Sequence, residues 1–301
     1  MPTLLPGPVT VTVPATSANL GPGYDALGLA LSLRDTVTAE VVDGPGSVVV
    51  RGEGAGAVPL DDSHLVRRAM QRAFDAMGCG TPSIRLTCDN VIPHGRGLGS
   101  SSAAIVAGVC AARGLVGGGS LLMDDDAVFA LTAEIEGHPD NVAPAFFGGF
   151  TVAWGSGGRF HATNASVDPR VAAVAFVPPD PVETTVARGL LPAQVPHADA
   201  AFNVGRAALL VAALGGRPEL LLEATEDRLH QDQRAPAMPG TAALVKELRA
   251  DGLPAFVSGA GPTVLVLTDP LAQAGVAARV PDGWRVHTLA VESQGAVVTE
   301  G

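Results

Sequence analysis

The sequence has little positive charge and few aromatic residues. Its 301 residues carry 19 Lys and Arg side chains against 30 Asp and Glu, a formal net charge of −11, and 4% are aromatic. Nucleic acids and anionic membranes are bound by basic surfaces, so neither is expected as a partner. Lys246 is the single lysine. A side chain that holds a carboxylate or phosphate is therefore expected to be an arginine, which can bind bidentately.

Cysteines and long apolar runs are also scarce. Cys79, Cys88 and Cys110 are odd in number and lack the spacing of metal ligands, which predicts reduced and mostly buried thiols. No apolar run approaches the roughly 20 residues that a membrane helix needs, and the N-terminus lacks the basic start of a signal peptide. The sequence therefore predicts a soluble, cytoplasmic protein.

The content of hydrophobic and charged residues is typical of a globular chain, and the pattern of predicted elements divides it into two domains. Hydrophobic residues make up 47% and charged residues 16%, which is enough apolar material for a core. Predicted strands and helices are mixed without strict βαβ alternation, which indicates an α+β architecture. The pattern restarts near residue 167, so we expect domains at residues 1–166 and 167–301. Residues 27–42 predict two strands with a bend at Arg34 and Asp35, and helices are predicted over about 63–77 and 124–136.

One glycine- and serine-rich stretch lies between a predicted strand and a predicted apolar helix. It consists of Pro93, His94, Gly95, Arg96, Gly97, Leu98, Gly99, Ser100, Ser101, Ser102 and Ala103. Glycines let the backbone approach a ligand, and a helix N-terminus offers free N–H groups and the positive end of its dipole. We therefore expect a phosphate-binding loop. A flexible linker is the alternative, although Leu98 and the apolar helix that follows argue against it.

The spacing of this loop excludes two better-known phosphate loops. A Walker A loop needs Gly-Lys-Ser/Thr, and Lys246 lies far downstream. A dinucleotide-binding fingerprint would need glycine where Ser100 or Ser102 stands.

Two further motifs complete a set. Pro14 to Asp25 follows the first predicted strand, and Phe256 to Thr263 forms a glycine-rich turn near the end of the chain. With the loop, and in this order, the chain resembles the GHMP small-molecule kinases over residues 14–263. The resemblance implies a two-domain α+β fold, with an N-terminal domain like the second domain of ribosomal protein S5 and a ferredoxin-like C-terminal domain. ATP and substrate would bind between them.

Several segments resemble the branch of this family that acts on L-homoserine. They are the loop itself and residues 136–144, 183–192 and 227–236. This implies ATP-dependent phosphorylation of the L-homoserine hydroxyl to O-phospho-L-homoserine in threonine biosynthesis, with Mg²⁺. Two alternatives remain open: a GHMP kinase for another small hydroxy acid such as mevalonate, or a nucleotide-binding regulator without turnover. We also expect a homodimer, the commonest soluble assembly.

The resemblance also assigns roles to residues. It implies that Ser101 and Glu134 hold Mg²⁺, although Glu136 is an equally acidic neighbour of Glu134. Asp140 or Asn141 would orient the nucleophile, so the implied catalytic set is Asp140, Asn141, Glu134 and Ser101. The residues of the loop, from Pro93 to Ala103, would bind ATP.

The expected homoserine ligands are spread along the chain. Arg188 and Arg234 match the carboxylate-binding arginines, and Asn19, Asp25 and Asp140 are candidates for the ammonium and hydroxyl groups. His138 is either a substrate ligand or a structural histidine. His64 stands where relatives often place an asparagine near the adenine, and a dedicated catalytic base is left open.

Overall fold

The computed structural model describes residues 2–300 as two β-sheets with helices packed on them. The strands are β1 (Pro8–Ala18), β2 (Leu27–Val41), β3 (Ser47–Gly52), β4 (Ile84–Asn90), β5 (Phe150–Ser156), β6 (Arg159–Ala165), β7 (Ala172–Val177), β8 (Ala255–Val257), β9 (Val264–Thr268), β10 (Arg285–Ala290) and β11 (Val297–Glu300). The helices are α1 (Leu65–Ala76), α2 (Ser100–Gly114), α3 (Gly119–Leu122), α4 (Asp125–Glu136), α5 (Val142–Phe147), α6 (Thr184–Gly189), α7 (His197–Leu214), α8 (Leu221–Ala224), α9 (Gln231–Arg234), α10 (Pro239–Ala250) and α11 (Gln273–Ala277). Short 3₁₀ turns lie at Pro218–Leu220, Ala235–Ala237 and Pro270–Ala272.

The first sheet carries the phosphate loop. Its strand order is β11-β1-β2-β4-β3, with β5 and β6 extending from β2, and all pairs are antiparallel except β3 with β4. Helix α2 follows the loop and is buried along most of its length. Its side chains are mostly small, so α1 and the sheet can pack closely around it. The loop thus leads into a helix that is fixed in the core.

The second sheet has the strand order expected of a ferredoxin-like unit. Its strands lie in the order β10-β7-β9-β8 with every neighbour antiparallel. Strand β7 is buried on both faces: Val174 and Phe176 pack with Leu244 and Leu248 of α10, whereas Ala173 and its same-face neighbours join the core of the first sheet. Side chains alternate between the two faces of a strand, so the two faces of β7 pack into two different hydrophobic cores.

Two details differ from the sequence-based predictions. Residues 27–41 form one long strand rather than two. Pro14 pairs with Arg34 and Ala15 pairs with Leu31, so two residues of β2 bulge out at the expected bend without ending the strand. Strand β11, at the end of the chain, pairs with β1 in the first sheet, so the proposed 167–301 unit includes a strand that returns to the other sheet. Helices α1 and α4 agree with the prediction to within about two residues. Within residues 2–300, none of the helices is long and apolar enough to cross a membrane.

Candidate active site

The phosphate loop is held between the other two motifs. The Thr16 amide donates to the Leu98 carbonyl (3.0 Å), and the Ser258 hydroxyl donates to the Gly97 carbonyl (2.6 Å). A Cβ at Gly97 would lie 2.3 Å from the Ser258 carbonyl oxygen, and one at Gly99 would lie 1.9 Å from Thr16 Oγ1. Both glycines also have positive φ, +74° and +71°. The three motifs therefore meet at one place, where only glycine fits the backbone.

The N-terminus of α2 is open for an anion. Gly99 caps the helix in a left-handed conformation, and no side chain caps its first amides. Because these N–H groups have no partner within the helix and lie at the positive end of its dipole, they offer hydrogen-bond donors to an anion.

Arg96 lines the cavity, and each of its three side-chain nitrogens donates to a backbone carbonyl. Its Nε donates to the Pro178 carbonyl (3.1 Å), Nη1 to the His94 carbonyl (3.1 Å) and Nη2 to the Pro179 carbonyl. Burial lowers the pKa of Arg96. The side chain fastens the loop to the segment after β7.

Glu134, predicted from the resemblance to lie beside Ser101, does not lie there. Glu134 lies on the opposite side of α4, where its carboxylate pairs with Arg72 at 2.8 Å and its side chain is 67% exposed. Glu136 instead accepts hydrogen bonds from Ser101 Oγ (2.7 Å) and Ser102 Oγ (2.8 Å). Two residues correspond to about 200° of rotation on an α-helix, so the two carboxylates cannot share a face. The acidic group beside the loop serines is Glu136.

Asp140 and Asn141 follow the end of α4 and lie against the loop. Asp140 is 2% exposed, and its Oδ1 is 2.8 Å from His138 Nδ1. Burial alone would lower the pKa of His138, but the hydrogen bond to Asp140 and the Asp140 charge raise it above the ordinary value. Asn141 Oδ1 accepts a hydrogen bond from Thr16 Oγ1 at 2.9 Å. His138 thus holds one oxygen of Asp140, and the first motif holds Asn141.

The turn from Asn19 to Asp25 is held by Asn19. Its Nδ2 donates to the Gly259 carbonyl (2.8 Å), and its Oδ1 accepts from the Asp25 amide (2.9 Å). Asn19 and Asp25 both have positive φ, 67° and 54°, a conformation that costs energy for residues other than glycine. Asn19 therefore links the first motif to the third and places the Asp25 backbone.

Arg188 joins this turn from the other domain. Its Nη1 and Nη2 donate to the two Asp25 carboxylate oxygens at 3.0 and 2.9 Å, and Nη1 also donates to the Tyr24 hydroxyl at 3.1 Å. The hydrogen bonds to Asp25 raise the pKa of Arg188. The two charged groups are about one-third exposed and face the cavity.

Arg234 is the second cation of the site and is 1% exposed. Its Nη1 donates to the Gly259 carbonyl at 3.2 Å, and its Nε is buried with no hydrogen-bond partner among residues 2–300. Burial lowers the pKa of Arg234. A buried guanidinium with a free donor is costly, so this group is suited to an anionic ligand.

Two adjacent cavities contain these groups. The first, about 230 Å³, is lined by the loop, Glu136, Asp140 and both arginines. The second, about 290 Å³ and mostly apolar, lies beside the start of α2 and is lined by His64 and Asp35. Ser100 and Ser101 line both cavities, so a ligand with its anionic part at the loop can extend into the apolar one.

Most of the residues predicted from the sequence line this one cavity. Sequence reasoning did not identify three of the contacts. Glu136 with Ser101 and Thr16 with Asn141 are contacts between distant segments, whereas His230 and Arg234 lie four residues apart. Glu136 lies directly before Gly137, which ends α4 in a left-handed conformation.

The chain is similar to known proteins in both sequence and fold. The family models "GHMP kinases N terminal domain" and "GHMP kinases C terminal" match residues 64–149 and 208–285. A homoserine kinase of Streptomyces avermitilis is 54% identical over 290 residues, which cover 96% of this chain and 95% of that protein. The crystal structure of a homoserine kinase from Cytophaga hutchinsonii superposes with a TM-score of 0.84 at 26% identity, over 99% of each chain. A putative homoserine kinase from Listeria monocytogenes gives a TM-score of 0.74 at 30% identity, over 97% of this chain and 100% of that one.

The sequence likeness extends over nearly the whole chain, and the two-domain fold predicted from the motifs is confirmed. The chain belongs to the GHMP kinase family, among its homoserine kinases.

Proposed function

We propose that this chain transfers the γ-phosphoryl group of ATP to the side-chain hydroxyl of L-homoserine, producing O-phospho-L-homoserine for threonine biosynthesis. The observation that carries the proposal is the convergence in one cavity of a helix N-terminus, Asp140, and the two arginines Arg188 and Arg234. A phosphate donor and a small zwitterionic acceptor would each find matching groups there. Phosphoryl transfer needs mainly positioning and charge stabilisation, which such a cavity can supply.

ATP would place its phosphates at the free amides of α2 and its base in the apolar cavity. His64 lies in that cavity, and its Nδ1 is buried without a partner among residues 2–300. Burial lowers the pKa of His64, so the ring is neutral near pH 7 and can hydrogen-bond a base edge. His64 would thus take the position that an asparagine often occupies in relatives.

Mg²⁺ would be held by Glu136 and Ser101 rather than by Glu134. The Glu136 carboxylate and the Ser101 hydroxyl lie 2.7 Å apart next to the anion site, and both offer the hard oxygen atoms that Mg²⁺ prefers. When bound, the ion neutralises charge on the transferred phosphate. Glu136 and Ser101 would fix its place relative to the loop.

The substrate carboxylate would bind Arg188 and Arg234, and its ammonium would bind Asp25. Arg188 and Asp25 form a bidentate pair in this structure. A zwitterion offers the opposite charge to each of them, so it can replace their mutual contact with two new ones. A hydroxy acid without an ammonium group could bind Arg188 and Arg234 through its carboxylate but would leave Asp25 without a cationic partner.

Asp140 would orient the attacking hydroxyl. His138 occupies Asp140 Oδ1, which leaves Oδ2 to accept a hydrogen bond from the substrate. His138 would therefore act by holding Asp140. The hydroxyl oxygen, oriented in line with the γ-phosphate, would form the new P–O bond as the bond to the β-phosphate oxygen breaks and ADP leaves. The hydroxyl proton would be given up late in the transfer, to Asp140 Oδ2 or to water.

An ADP-release assay tests the substrate. With Mg·ATP, L-homoserine is expected to give a much higher kcat/KM than mevalonate or galactose, and phosphorus NMR is expected to show a phosphate ester on the side-chain oxygen. A higher kcat/KM with mevalonate or galactose would refute homoserine as the substrate and leave the kinase family unaffected.

Arg188→Ala tests the carboxylate contact. Loss of a charge-assisted bidentate contact is expected to lower kcat/KM for homoserine by roughly 30- to 1000-fold, with the KM for ATP nearly unchanged. An equal loss of nucleotide binding would place Arg188 on the phosphates instead.

We also propose that two copies of the chain form a homodimer. Light scattering after size-exclusion chromatography tests this, and a monomer mass would refute it.

A further inference from the structure

His230 lies directly before α9, the short helix that carries Arg234, and its side chain is fully buried. One ring nitrogen, Nε2, is 2.7 Å from the Gly21 carbonyl oxygen. The other, Nδ1, is 3.1 Å from Arg234 Nη1. The imidazole therefore bridges the first motif and Arg234.

The chemistry of these contacts fixes the ring's protonation. A guanidinium can only donate, so Nδ1 must accept from Arg234, and Nε2 must carry the hydrogen that it donates to Gly21. A second proton on Nδ1 would face the Arg234 charge. Burial also lowers the pKa of His230. The ring is thus a neutral acceptor beside a cation.

This contact orients the whole guanidinium. Among residues 2–300, both hydrogen bonds of the Arg234 side chain, to His230 Nδ1 and to the Gly259 carbonyl, use Nη1. The group is planar, so fixing Nη1 also fixes the edge that carries Nε, which has no partner among residues 2–300. The Tyr24 ring lies against both side chains, 5.3 Å from the His230 ring and 5.4 Å from the Arg234 guanidinium carbon. Together these contacts leave one edge of the cation for a ligand.

We propose that His230 is a positioning residue, whose Nδ1 turns Arg234 so that its free edge meets the substrate carboxylate. The inference rests on the proposed role of Arg234. The Gly21 bond fixes the ring itself, and so couples the position of Arg234 to the turn that carries Asp25.

The test separates the two ring nitrogens. His230→Asn keeps an acceptor near Nδ1, His230→Gln keeps a donor near Nε2, and His230→Phe keeps only the ring shape. The readout is the ratio of kcat/KM for L-homoserine to that for 3-aminopropan-1-ol, which has the hydroxyl and ammonium groups but no carboxylate. If the amino alcohol turns over too slowly, its inhibition constant against homoserine replaces kcat/KM.

We expect His230→Gln and His230→Phe to lower this ratio about 10- to 100-fold, mainly through the KM for homoserine, because a charged hydrogen bond is lost. His230→Asn is expected to retain most of the ratio. Binding of a fluorescent ADP analogue should be unchanged in all three. His287→Phe, at a half-buried histidine on β10, is the control.

A double-mutant cycle decides whether His230 acts through Arg234. In the Arg234→Ala background, His230→Phe should lower the ratio no further. Additive losses, an equal loss for both substrates, or weaker ADP binding would overturn the inference. If Arg234→Ala alone leaves the ratio of kcat/KM values unchanged, the proposed role of Arg234 is wrong.

If Arg234→Ala lowers that ratio and His230→Gln does not, only the inference about His230 is wrong. Should the Phe variant not fold, the comparison of Gln with Asn decides.

Discussion

The two ends of the cavity between the loop and the two arginines are built differently. The end proposed to bind the nucleotide phosphates consists of backbone from one continuous stretch, the loop before α2, with glycines where the chain passes other backbone. The end proposed to bind the substrate consists of side chains from distant segments: Asp25, Asp140, Arg188 and Arg234. A backbone site depends on local conformation and close approach, whereas a side-chain site depends on how the two domains pack. Substitutions at the two ends should therefore fail in different ways.

The largest expected effect concerns the carboxylate that lies between these ends. Glu136→Gln keeps the shape beside Ser101 but removes the negative charge, and should lower kcat roughly 100- to 1000-fold and raise the Mg²⁺ requirement. Glu134→Gln is the matched control two residues away. It breaks only the exposed pair with Arg72 and should change kcat less than about twofold. Mg²⁺ titrations of both variants at saturating homoserine measure this, and a larger loss in the Glu134 variant would reverse the assignment.

A glycine pair tests the backbone end. Gly97 and Gly118 have nearly equal φ, +74° and +73°, but a Cβ at Gly97 would collide with the Ser258 carbonyl, whereas a Cβ at Gly118 meets nothing within 4 Å. Gly97→Ala should weaken ADP binding by about 10- to 100-fold, because the loop must shift. Gly118→Ala should lower the free energy of unfolding by about 1 kcal/mol and leave ADP binding unchanged. Calorimetric titration and thermal melting separate the two effects, and equal losses of binding would contradict the steric argument.

The smallest expected effect is a pH dependence at the substrate end. Asp140 raises the pKa of His138 above 6.5 in the folded protein, against the opposing effect of burial. The pair therefore stabilises the fold fully below pH 6.5, and this contribution is lost as the pH rises through the folded-state pKa.

In urea titrations, His138→Gln should lower the free energy of unfolding by on the order of 1 kcal/mol more at acidic than at alkaline pH. His197→Gln, at an exposed histidine that begins α7, is the control. A deficit that grew with rising pH would contradict the assigned direction.

The sequence predicted the structure of the loop and of α2 well because its signals are contiguous. Alternating glycines, three serines and an apolar helix follow one another directly, and each favours the same local structure. The same holds for α4, whose start at Asp124 is marked by an acidic cap and whose end is marked by Gly137. The resemblance to GHMP kinases then supplied the two-domain fold and the family, which the comparisons confirmed.

The choice between Glu134 and Glu136 could not be read from the sequence. Both lie on the same helix and both are acidic, and only the rotation of α4 against α2 decides which one meets Ser101. Arg96 shows the same limit. Its place in a phosphate loop favours a ligand contact, but the fold brings the carbonyls of Pro178 and Pro179 within its reach.

The sequence by itself determined the glycine-rich loop before α2, the mixed α+β character and the family, because these follow from residues that are neighbours along the chain. The tertiary structure decided the partners of the charged side chains: Glu136 with Ser101, Arg188 with Asp25, and Arg234 with the Gly259 carbonyl. Local backbone conformation is set by sterics and hydrogen bonds within a few residues. The partner of a buried charge is instead set by which distant segments the packed cores bring within about 3 Å, where a hydrogen bond can form.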